Sequence, residues 1–264
     1  ALCSEIPALE ERGVTVRHRG FCGTYALSPD SVFKDLNLEI AVRSALGIAP
    51  PAPLTPEDLA ALTELDARNG QVQDLTGLEY CTGLVKLDLS SQNADQCNKV
   101  TDLTPLAGLT KLEDLNLSNN SSSTGNTITD LGPLATCTSL RTLNYWGNNC
   151  VSDITPLANL RNLEYLELGQ GRVVDITPIS GLDKLTYLSL HNNRVRDCAP
   201  LAGLKNLDYL CLDGNQIQDH SPLAALTRLT SFNAFGSGIS DISWLANMTM
   251  LHHLSLFDNQ IQDL

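Results

Sequence analysis

Leucine returns along this chain at a near-fixed interval. The residues that open one recurring pattern are Leu62, Leu84, Leu112, Leu140, Leu163, Leu185, Leu207, Leu229 and Leu251, at spacings of 22, 28, 28, 23 and then 22 throughout. Residues 185–206, LTYLSLHNNRVRDCAPLAGLKN, give the cleanest unit. Its general form is L-x-x-L-x-L-x-x-N-x-I/V-x-D-x-x-P-L-x-x-L-x-x. Self-similarity at this period means a stack of like coils, because no single coil can bury its own leucines. The alternation in L-x-L predicts a short strand with one face buried. Stacking then aligns the strands into one parallel sheet, an α/β class of fold.

The polar positions of the unit have structural duties. Asn120, Asn148, Asn193, Asn215 and Asn259 fall at the turn leaving each strand, where an amide can bond the backbone of its own and the neighbouring coil. An aspartate column follows at Asp74, Asp102, Asp130, Asp153, Asp175, Asp197, Asp219, Asp241 and Asp263. Metal binding is a poor reading of it. Carboxylates one per coil stand about 5 Å apart in a row and do not gather round one ion. We expect each to cap the return segment that begins two residues later, and expect no metal and no cofactor.

The unit resembles the leucine-rich repeat family in its 22-residue form, and most closely the bacterial internalin-like and SDS22-like arrays. The resemblance runs from Leu62 to the end and implies a leucine-rich repeat solenoid, a curved right-handed coil with its parallel sheet on the concave side. Residues 35–46, DLNLEIAVRSAL, are amphipathic, and Gly47 follows as a stop. Thr55-Pro-Glu-Asp reads as an N-cap, a proline at the first helical position and acids in the first turn. The pattern F-x-D-x-N-L-E-x-A-V-R-x-A-L from Phe33 looks like the helical N-terminal cap of bacterial leucine-rich repeat proteins. The division expected is residues 1–33 as an N-terminal segment, 34–61 as the cap and 62–264 as the array. Residues 6–16 resemble the closing segment of another array. The last unit breaks off inside its pattern. Both suggest a piece of a longer protein with tandem arrays.

Cys81, Cys137 and Cys198 replace core aliphatic residues and read as small buried hydrophobes. Cys97 with Cys150, and Cys3 with Cys22, are the pairs we expect as disulfides, which would favour an oxidising compartment. Cys211, between two core leucines, should face outward.

Strand positions two, four and six after the opening leucine point away from the core. They make three columns. The first holds Lys86, Asp114, Thr142, Tyr165, Tyr187, Tyr209, Ser231 and His253. The second holds Asp88, Asn116, Asn144, Glu167, Ser189, Cys211, Asn233 and Ser255. The third holds Ser90, Ser118, Trp146, Gly169, His191, Asp213, Phe235 and Phe257. The chain has 2 Trp, 6 Tyr and 5 Phe. Six of them fall on these columns, where even placement gives about one and strand preference about two. Tyr165, Tyr187 and Tyr209 should stack as a ladder about 5 Å apart. The candidate ligand-binding set is Trp146, Tyr165, Glu167, Tyr187, His191, Tyr209, Asp213, Phe235 and Phe257, with Asp213, Glu167 and Asp114 selecting cationic groups on a partner. Six-residue insertions near 95–99 and 121–126 are either a second candidate surface or tolerated loop drift.

Several function classes drop out. No run of apolar residues is long enough to span a membrane. A net charge of −13 repels phosphate backbones and argues against nucleic acid. A Cys211–His191–Asp213 set on an open sheet has no pocket to exclude water. What remains is a non-catalytic module that recognises a protein or peptide. A carbohydrate-binding surface and a structural spacer in a larger surface protein stay open as alternatives. The resemblance places such a module outside a bacterial cell or on its surface.

Overall fold

A computed structural model describes residues 27, 30–92, 94–119 and 125–262. Helix α1 (Leu36–Leu46) and the short α2 (Pro56–Ala61) precede nine three-residue strands. These are β1 (Glu64–Asp66), β2 (Lys86–Asp88), β3 (Asp114–Asn116), β4 (Thr142–Asn144), β5 (Tyr165–Glu167), β6 (Tyr187–Ser189), β7 (Tyr209–Cys211), β8 (Ser231–Asn233) and β9 (His253–Ser255). They form one sheet in sequence order, every neighbouring pair parallel. Short 3-10 turns such as Thr155–Asn159 and Ala199–Gly203 carry the chain back on the opposite side. The protein is a leucine-rich repeat solenoid. No helix among the described residues is long and apolar enough to cross a membrane.

The core is one continuous column of side chains. Leu87, Leu115, Leu143, Leu166, Leu188 and Leu210 are partners in register and fully buried. At the N-terminal end the helices close it. Asp35 caps α1 through Oδ1, which accepts from Asn37 N and Leu38 N. Its Oδ2 accepts from Gln73 N at 2.7 Å, fastening α1 to the first coil. Thr55 and Asp58 form a reciprocal capping box at α2. Phe33 is buried against Gly77, where a Cβ would stand 2.4 Å from its ring. At the other end Leu254 holds a core position but is 47% exposed.

The aspartates behave as capping groups. Oδ1 of Asp74, Asp102, Asp130, Asp153, Asp175, Asp197, Asp219 and Asp241 each accepts the backbone N–H two residues on, at 2.6–2.8 Å. These bonds hold the Asp74, Asp153, Asp175, Asp219 and Asp241 carboxyls below the ordinary value. Asp263 lies outside the described residues.

The amide ladder is present, with a correction. Asn215 Nδ2 donates to the carbonyls of Leu190 and Leu212, and its Oδ1 accepts from Val195 N. Asn148, Asn193 and Asn259 also bond across coils. In the two long repeats the ladder residues are Asn98 and Asn126. Asn120, expected there from its distance to the strand, lies outside the described residues. The six extra residues enter between the strand and the ladder position, so counting forward from the strand stops six residues short.

The cysteines divide. Cys81, Cys137 and Cys198 are fully buried, and burial pushes their thiols up to about 12, 11 and 12. The expected Cys97–Cys150 disulfide does not form. The two residues belong to coils two apart, roughly 10 Å, and the coil carrying Asn126 stands between them. That pair gives no support for an oxidising compartment. Cys3 and Cys22 lie outside the described residues, as does the segment at 6–16.

Candidate functional site

In-register pairing sets the site. Tyr165, Tyr187 and Tyr209 open β5, β6 and β7 and are direct Cα partners. Strand spacing alone brings like positions to about 4.8 Å. The rings stack at centroid distances of 4.2 and 4.4 Å with interplanar angles of 11° and 2°. Both faces of the Tyr187 ring are therefore covered by its neighbours. Asn233 Nδ2 donates to Tyr209 Oη at 3.1 Å and fixes the end of the stack. Burial raises all three phenols, so they stay protonated at neutral pH.

Glu167 sits among these rings and is buried. Tyr187 Oη donates to its Oε2 at 3.3 Å, and Gly169 N donates to its Oε1 at 2.8 Å. Burial raises this carboxyl, against the lowering effect of its hydrogen bonds. Asp114 is matched by Lys86, with Nζ 3.1 Å from Oδ2. Glu167 is therefore not presented to a partner as the sequence suggests, and Asp114, its side chain still 35% exposed, is already paired with a cation. Asp213 differs: it is half-buried, and its Oδ1 accepts from Phe235 N at 2.6 Å.

Trp146 and His191 form a clasp across the intervening coil. Trp146 Nε1 donates to His191 Nε2 at 3.0 Å. An indole nitrogen only donates, so Nε2 is bare and the proton sits on Nδ1. Nδ1 lies 2.9 Å from Ser189 Oγ and 3.6 Å from Glu167 Oε1. Gly169 lies two residues past the end of the intervening strand β5, and a Cβ there would stand 1.9 Å from His191 Cε1. Glycine makes the crossing possible.

Seven of the nine candidate residues, Trp146, Tyr165, Glu167, Tyr187, His191, Tyr209 and Asp213, line one open depression of about 560 Å³. Phe235 and Phe257 lie beyond it on the next two coils, 45% and 75% exposed. Sequence reasoning missed Gly169, Ser189 and Asn233 as supports. Their signal was available: they occupy the same outward columns as the aromatics. Cys211 does face outward but is buried beneath its neighbours, and its thiol is pushed up to about 12. Among the described residues no group of His, Cys, Asp and Glu is arranged to hold a metal ion.

A family model described as leucine rich repeats (2 copies) matches residues 138–184 and 183–225. No curated protein sequence matches the chain significantly. Solved structures do. Internalin C2 from Listeria monocytogenes is 37% identical, over 85% of this chain and 94% of its own, with a TM-score of 0.76. Internalin F from the same species is 35% identical, over 88% of this chain and 72% of its own, with a TM-score of 0.72. The leucine-rich repeat ectodomain of the Arabidopsis thaliana receptor kinase GASSHO1/SCHENGEN3, solved in complex with CASPARIAN STRIP INTEGRITY FACTOR 2, is 25% identical over 76% of this chain and 24% of its own, with a TM-score of 0.63. A fold of this kind is that of a protein-interaction module. With identity above 35% across most of both chains for the nearer pair member, and with the sheet, amide ladder and helical cap all in place, the chain belongs to the internalin-like leucine-rich repeat proteins.

Proposed function

We propose that the chain is a non-catalytic recognition module, working outside a bacterial cell or on its surface, that binds a protein or peptide through the aromatic concave face. One observation carries this reading: seven candidate residues converge on a single depression whose side chains already hold one another in place. A surface fixed before binding loses little side-chain entropy on contact. Stacked tyrosines and a tethered tryptophan are the residue types that anchor interfaces. The receptor ectodomain solved with a bound factor is an example of the same fold used for recognition.

The tyrosine stack works against the carbohydrate reading. Sugars pack on open ring faces, and Tyr187 offers only its edge. The spacer reading predicts that the tyrosines matter for stability alone.

The test compares wild type with the Tyr165→Ser, Tyr187→Ser, Tyr209→Ser variant, checked for folding by circular dichroism, in pull-downs from surface and extracellular extracts. Capture by wild type alone supports the concave face. Equal capture by both moves the site to the insertions or the convex side. Competition by soluble polysaccharide would restore the glycan reading.

A further inference from the structure

The carboxylates of the face are not equivalent, and the difference specifies the partner. Asp114 is matched by Lys86, and Asp88 lies 3.6 Å from Arg68 Nε. Glu167 is buried with both oxygens engaged. Among the described residues of β2 to β9 and their exits, Asp213 is the concave-face carboxylate that is neither buried nor within 4 Å of a cationic group. It stands where the depression ends and the exposed phenylalanines begin. Backbone bonds from Gly214 N to Phe235 O and from Gly236 N to Phe257 O align Asp213, Phe235 and Phe257 in one column. An unmatched anion therefore adjoins two apolar rings that solvent reaches.

We propose that Asp213, Phe235 and Phe257 form a specificity subsite for a linear protein segment carrying a lysine or arginine beside apolar residues. This rests on the concave-face reading and narrows it. The cationic head would meet the Asp213 carboxylate while its stem and the following apolar side chains cover Phe235 and Phe257. Charge complementarity selects this occupant: the chain carries −13 overall, and the column of Asp213, Phe235 and Phe257 offers no cation to an acidic segment. An acidic or uncharged segment would leave Asp213 desolvated and unmatched.

The experiment pans a phage-displayed library of random linear peptides against wild type, Asp213→Asn, Asp213→Lys and the triple tyrosine variant. Asparagine keeps the oxygen that accepts from Phe235 N and removes only the charge. Asp183→Asn, on the edge where the chain enters β6, removes the same charge elsewhere. Wild type is expected to enrich peptides with Lys or Arg beside apolar residues. Synthetic copies should bind Asp213→Asn roughly tenfold more weakly and Asp183→Asn equally well. Asp213→Lys should select acidic residues instead. Enrichment with no cationic bias, or equal binding to Asp213→Asn, overturns the subsite. If those peptides are still lost on the triple tyrosine variant, the concave-face reading stands without it. Equal binding to the triple variant overturns both, and no enrichment at all overturns the subsite.

Discussion

Trp146 reaches His191 across one intervening coil, and the residue between them is Gly169. The clasp is thus set by a missing side chain. We expect Gly169→Ala to expel the imidazole from its place, since the new Cβ would overlap the ring. In a Trp244→Phe background, Trp146 emission should move to longer wavelength as the indole meets water. The circular dichroism spectrum should be unchanged. An unshifted emission would mean that the clasp does not hold Trp146.

The amide ladder predicts unequal costs for one substitution. Asn215→Ala strands buried carbonyls and the Val195 N–H together, which should cost about 2–3 kcal/mol. Asn148 donates in the same way, but its buried Oδ1 has no partner among the described residues. Asn148→Ala should therefore cost less, by about 1 kcal/mol. Urea denaturation of the two variants measures the difference, and equal costs would refute it.

Core leucines should differ by position along the stack. Leu210→Ala opens a cavity between two coils and should cost about 2–5 kcal/mol. Leu254 occupies the same strand position in the last coil, but half of it is already in solvent. Leu254→Ala should cost about 1 kcal/mol or less by area. Thermal unfolding of both variants tests this.

Acid should unfold the array in two steps of pH. Burial holds His220 below its ordinary 6.5, so an unfolded chain takes up that proton first and stability falls as pH drops under 6.5. The capping aspartates are depressed below 3.8. Their contribution is complete above that value and is lost as pH falls through it. Glu167 is shifted up, so its protonation favours the folded state and works in the opposite direction. Denaturation midpoints between pH 3 and 7 should fall in both windows. His220→Gln should remove the upper fall and Asp219→Asn should flatten the lower one.

Repetition made most of this molecule readable in advance. The register of nine strands, the capping role of the aspartates and the tyrosine stack all follow from positions that recur every 22 residues. The misreadings came where periodicity fails. Asn126 carries the ladder in its repeat because the insertion enters ahead of it. Cys97 and Cys150 both lie in insertions, but loop length alone does not carry them past the coil between them. The outward acids were legible as outward, but not their burial or pairing. Those depend on which side chains fill the adjacent columns, and a neighbour such as Gly169 sets them by its size.

The ladder and the tyrosine stack share a further property. Each is built from contacts between like positions on successive coils, so nothing in either depends on how many coils there are. Duplicating residues 185–206 would insert one more ring into the stack and one more amide into the ladder without inventing an interface. The aromatic face would lengthen by about 5 Å per added unit. A sheet face made this way can be changed in length by whole-unit duplication and deletion, separately from the identity of its outward side chains.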